Sequence, residues 1–134
     1  MKMIKWLSLI LVIPSMSFAS EEVLKSFENQ AKKENSTFKE FSVNDGEKLF
    51  RLERANSKNE KIGCTTCHTA NPKAPGLSRA NKIIDPLAPI ASKERFTDMA
   101  KVEKWFKRNC KDVLERECTV LEKGNFTKFM MSVK

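Results

Sequence analysis

The sequence predicts an all-α fold of helices joined by long loops, on three observations. Apolar residues recur at helical spacing in several separate segments. No segment reads convincingly as a strand. Finally, residues 63–92 show little periodicity and hold Pro72, Pro75, Pro86 and Pro89. A loop of that length argues against a compact domain unless it wraps around something that serves as its core.

Residues 1–19 have the pattern of a secretory leader. Lys2 and Lys5 form a charged start, Trp6 to Ile13 a short apolar run, and Ser17-Phe18-Ala19 a small-residue cleavage signal. A membrane span needs about 20 apolar residues, so the run is too short to cross a bilayer and the chain is not an integral membrane protein. Cleavage before Ser20 leaves one domain's length, and export places the protein in the periplasm, where disulfides persist. The chain's formal charge is +8, and loss of Lys2 and Lys5 lowers it to about +6. For an exported chain this argues against nucleic acid, and for solubility or docking on an acidic protein.

Residues 20–35 place Val23, Leu24, Phe27 and Ala31 on one face of a short amphipathic helix, which forms an extension over 20–41. A domain over 42–134 follows. Ser42 caps a second helix with Asp45 in its first turn and Leu49 and Phe50 on its buried face. Gly46 sits one turn before Phe50, where a glycine costs about 1 kcal/mol relative to alanine and signals close approach by another backbone. Thr97 is expected to cap a helix carrying Met99, Val102, Trp105 and Phe106. After Cys118 the pattern suggests one helical piece, a break at Gly124, and a last helix capped by Asn125 with Phe126, Phe129, Met130 and Val133 inside.

"CTTCH", Cys64 to His68, carries the chemistry. Cys-x-x-Cys-His presents two thiols to the two vinyl groups of a haem, with the histidine placed to ligate the iron. A dithiol redox site would need a βαβ surround, and a zinc site would need Cys110 and Cys118, whose spacing is wide for a ligand pair. One covalent haem c is the expected cofactor, and it supplies the core that the proline-rich loop lacks. His68 is the only histidine, so this chain offers no second one. The acceptor for its other ring nitrogen is sought near Pro72 or Pro75.

For the opposite face of the iron, Met99, Met130 and Met131 sit at spacings that suit core packing. Asn109 lies on the Val102–Trp105–Phe106 stripe, where its amide should be buried. Such an amide either caps the helix C-terminus or finds a strong partner, since leaving it unpaired costs about 1–3 kcal/mol.

"NDGEKLF…CTTCH…IDPLAPIASKERFTDMAKVEKWFKRNCKDVLERECTVLEKGNF" closely resembles the sphaeroides-haem-protein type of monohaem cytochrome c, over roughly residues 42–130. The resemblance implies a class I cytochrome c fold and an asparagine axial ligand at Asn109 that leaves the iron on reduction. Oxygen, nitric oxide or carbon monoxide then binds. It further implies a disulfide between Cys110 and Cys118, and electron exchange with a dihaem cytochrome c and a membrane b-type cytochrome. The helix before Ser42 and the methionine-rich end depart from the family pattern. An electron carrier with a permanent methionine ligand is the competing reading. A third, a reductase, lacks a clearly placed distal histidine or arginine, so catalysis is not the expectation.

Overall fold

The computed structural model describes residues 17–134. The leader's charged start and apolar run lie outside the described residues. Ser17, Phe18 and Ala19 open helix α1, Ser17–Glu34. Val23, Phe27 and Ala31 form its buried face, as their spacing predicts. The chain then turns at Asn35, whose side-chain oxygen accepts from the Thr37 amide and hydroxyl.

Helix α2 spans Val43–Arg51, and Ser42 caps it by accepting from the Asp45 amide. The antiparallel ribbon β1 (Glu53–Ala55) and β2 (Lys61–Gly63) leads into a single turn, α3, Thr65–His68. A second ribbon, β3 (Gly76–Leu77) with β4 (Ile83–Ile84), lies inside the stretch expected to be structureless. Two or three residues per strand are too few for an alternating pattern to register.

Helix α4 spans Met99–Leu114. Its cap is Asp98, which accepts from the Lys101 amide, and not Thr97, whose hydroxyl donates to the Glu94 carbonyl. Helix α5 runs unbroken from Val120 to Ser132. The expected break at Gly124 is absent because Thr119 and Glu122 form a reciprocal capping box that starts the helix earlier. The glycine serves packing instead, since a Cβ there would overlap the buried ring of Phe41. Asn125 is likewise no cap. Its side-chain oxygen accepts from the Ser42 amide at 2.8 Å and ties α5 to the start of α2.

The α2–α5 crossing bears out the reading of Gly46. A Cβ at that position would collide with the Asn125 carbonyl, so the two backbones touch. Phe27, Phe41, Phe50 and Met130 are the largest fully buried apolar side chains of the core. Phe106 brings α4 into it, edge-on to Phe27 at 5.9 Å and to Phe126 at 5.7 Å. Helices make up the core, and the short ribbons are confined to the connections.

Candidate haem site

Cys64, Cys67 and His68 stand on one turn, and the sequence between them explains why. The Cys64 carbonyl accepts from the amides of Cys67 (3.3 Å) and His68 (3.0 Å), closing the turn. The Thr66 hydroxyl accepts from the Gly63 amide at 2.9 Å and fastens the turn to β2. Thr69, at φ 62°, ends it. Gly76 packs β3 directly against this turn, since a Cβ there would overlap the Cys67 carbonyl and lie 3.0 Å from the His68 Cα.

Both thiols are free and half-buried. Burial pushes the Cys64 thiol up to about 11, so it is protonated. Burial, and then the Arg95 guanidinium, push His68 down to about 4, so its imidazole is neutral with a lone pair to give. The His68 ring makes no hydrogen bond among the described residues, near Pro72 and Pro75 or elsewhere, and the Pro72 carbonyl accepts from the amides of Leu87 and Ala88, both at 3.0 Å.

Arg95 is a neighbour the sequence reading did not single out, although it lies in the "ERFTD" block. Its Nε and Nη2 donate to the carbonyls of Pro86 (2.8 Å) and Asp85 (2.7 Å). Phe96 beside it holds φ 57° with its ring buried, a conformation that a bulky residue adopts only when packing enforces it.

The donor chemistry fits a covalently held haem. Two reduced thiols and a neutral imidazole share one turn, and the adjoining ribbon presents Leu77 and Ile83 with apolar side chains exposed, Ile83 by 80%.

Asn109 stands on a different element. It is mid-helix, five residues before α4 ends at Leu114, where Glu115 is the left-handed cap, so it is not itself a C-cap. Contrary to expectation, its side chain is exposed. The buried stripe runs through Val102, Phe106, Cys110 and Val113. At about 100° per residue Asn109 falls on the margin of that stripe, beside exposed Trp105. Its amide makes no hydrogen bond among the described residues.

Cys110, the next residue, is bonded to Cys118 with the two Cα atoms 5.6 Å apart. The end of α4 is also tied to the ribbon that leads into α3. Arg54 donates to the Leu114 carbonyl and pairs with Glu115, and Glu115 accepts from the Ser57 amide. Met130 is wholly buried in the core, and Met99 packs against it.

Residues 36–130 match a family described as a domain of unknown function, DUF1924. The chain is 46% identical over 80 residues to cytochrome c-type protein SHP of Cereibacter sphaeroides, covering 60% of this chain and 62% of that one. The chain thus spans a little less than two thirds of that relative. The structure of oxidised SHP, described as an oxygen-binding cytochrome c, superposes with a TM-score of 0.72 at 34% identity, covering 83% of this chain and 94% of SHP. Cytochrome c'' of Methylophilus methylotrophus is 32% identical over 114 residues, covering 84% of this chain and 79% of that one. Its oxidised crystal structure superposes with a TM-score of 0.79 at 30% identity, covering 90% and 98%. A solution structure of the same protein concerns haem-ligand detachment and superposes with a TM-score of 0.74 at 32% identity, covering 85% and 93%.

Proposed function

From a chain that belongs to the DUF1924 family, and to the SHP type of monohaem cytochrome c with one covalently bound haem, we propose a periplasmic electron acceptor whose sixth ligand, Asn109, leaves on reduction. When bound, haem supplies an iron that alternates between ferric and ferrous and takes up a small diatomic molecule. The rest follows from this chain's side chains.

Cys64 and Cys67 would hold the haem through thioethers, and His68 would ligate the iron through its neutral ring. Asn109 offers an amide oxygen, a hard donor that suits ferric iron better than ferrous. The Cys110–Cys118 bond and the Arg54–Glu115 tie hold the backbone beside it while the side chain swings away. The observation that carries the reading is the position of Asn109, mid-helix on the margin of the buried stripe, one residue from a disulfide and with its amide not engaged by another side chain among the described residues. SHP's description as oxygen-binding and the concern with ligand detachment in cytochrome c'' support it. Electron donors are proposed to be a dihaem cytochrome c and a membrane b-type cytochrome.

Asn109→Ala tests the assignment. The ferric absorption spectrum should change, while carbon monoxide uptake by the ferrous protein stays within about twofold. The methionine-ligated carrier is the competing reading, and the burial of Met130 in the core weighs against that residue as the ligand. An unchanged ferric spectrum in Asn109→Ala, together with a changed one in a Met99, Met130 or Met131 variant, would establish it.

A further inference from the structure

Helix α4 carries five cations, Lys101, Lys104, Lys107, Arg108 and Lys111, against two carboxylates, Glu103 and Asp112. At 3.6 residues per turn the five cations fall within an arc of about 120°, opposite the buried stripe. All five are exposed. None makes an ion pair among the described residues, and Glu103 is taken by Lys123 of α5 at 2.6 Å. Some charges elsewhere on the surface are matched. On α2, Asp45 pairs with Lys48 and Glu47 with Arg51, and beyond it Glu40 pairs with Lys128.

Like charges three and four residues apart repel, so an unpaired cationic arc weakens the helix that bears it. Trp105 lies at the border of the arc, 48% exposed, with the Arg108 guanidinium 5.8 Å from its ring centre. An exposed aromatic beside an arginine that Lys104 and Lys111 flank, with Asp112 one turn on, has the anatomy of a protein-binding centre with a charged rim. Continuing round the helix past Trp105, the next exposed side chain is Asn109.

We infer that this outer face of α4 is the docking surface for an acidic one-electron carrier protein, whose carboxylates meet Lys101, Lys104, Lys107 and Lys111 around Trp105. The inference rests on the electron-accepting reading above and adds the face and the chemistry of the partner. Charge complementarity selects the occupant. A second copy would set cation against cation, whereas an acidic face would satisfy all five at once and be steered to them. In the encounter one electron passes from the reduced carrier to the ferric protein, with no group transferred.

The test uses ferric holoprotein and a reduced plant-type [2Fe–2S] ferredoxin as the acidic carrier. Stopped-flow reduction is followed at rising ionic strength in the wild type, in Lys101→Glu/Lys104→Glu/Lys111→Glu, and in a control, Lys25→Glu/Lys32→Glu/Lys39→Glu. The two variants change net charge equally. At low salt the α4 variant should be slowed about tenfold or more and the control less than about threefold, and the α4 variant should lose most of its salt dependence. Carbodiimide cross-linking, which needs no electron transfer, should join ferredoxin carboxylates to Lys104, Lys107 or Lys111.

Equal slowing of both variants, or cross-links spread over the surface, overturns the docking face. So does an unchanged ferredoxin rate in the α4 variant accompanied by loss of binding to phosphatidylglycerol vesicles, which would make the face a membrane contact. Reduction by hexaammineruthenium(II), a small cation, should be no slower in the α4 variant than in the wild type. If that complex cannot reduce the holoprotein at all, electron acceptance itself fails, while the cross-link map still decides the surface.

Discussion

Replacing Gly46 with alanine puts one methyl group where α2 crosses α5. The new Cβ would overlap the Asn125 carbonyl oxygen, lie 2.5 Å from the carbonyl carbon and 2.8 Å from the Phe129 Cβ. Relief requires the helices to part by roughly an ångström, and overpacking of this kind costs about 1–3 kcal/mol. The same movement stretches the 2.8 Å bond from the Ser42 amide to Asn125, with a loss of about 1 kcal/mol. Against this, alanine in a helix gains about 1 kcal/mol over glycine. The balance is a destabilisation of about 2 kcal/mol, or roughly 8 °C in Tm for a domain of this size. Differential scanning calorimetry of the holoprotein measures it. A Tm equal to or above that of the wild type would show that the backbones do not meet at Gly46, and the packing argument would be refuted.

Removing the disulfide with Cys110→Ser/Cys118→Ser releases a loop of about nine residues and should cost about 2.5 kcal/mol in denaturant titration. A midpoint shift near zero would mean that the bond does not constrain the chain. The Cys64→Ala/Cys67→Ala protein should give up its haem to acid acetone, whereas the wild type keeps it; retention by the variant would place the attachment elsewhere. Glu122, held below its ordinary 4.5 chiefly by Arg116, also closes the α5 capping box. Because its folded pKa is lowered, its contribution is present above pH 4.5 and fades as pH falls through the folded value. Glu122→Gln should therefore lower Tm at pH 7, by about 1 kcal/mol in stability, with the gap to wild type closing under acid. A gap that widens as pH falls would reverse the assignment.

The parts legible in the sequence are those with local causes. Ser42 announced its helix because a cap is a single residue hydrogen-bonded to the next turn. Cys64, Cys67 and His68 are legible as a cluster because the chain itself spaces them on one turn. Gly46 showed that something came close, although the partner, Asn125, is 79 positions further along. The errors have the opposite character. Gly124 and Asn125 resemble a helix break and a cap in isolation, yet both serve contacts with residues more than 80 positions away, Phe41 and Ser42. The apolar stripe in the sequence runs through Asn109, whereas the core lies nearer Phe106 and Cys110 and leaves Asn109 exposed. Arg95 was passed over because its partners are main-chain carbonyls, which no composition reveals.

Both α1 and α2 pack on α5, and the Asn125–Ser42 bond locks one of those contacts. That arrangement sets a schedule for assembly. A chain extended from its N-terminus can form α1 and α2 early, but the helix they share as a partner is missing until residues 119–132 arrive. Long-range contacts of this kind are the slow step of folding. The ring of Phe50, which packs against Phe126 and Phe129, therefore stays uncovered on that side until the last helix docks.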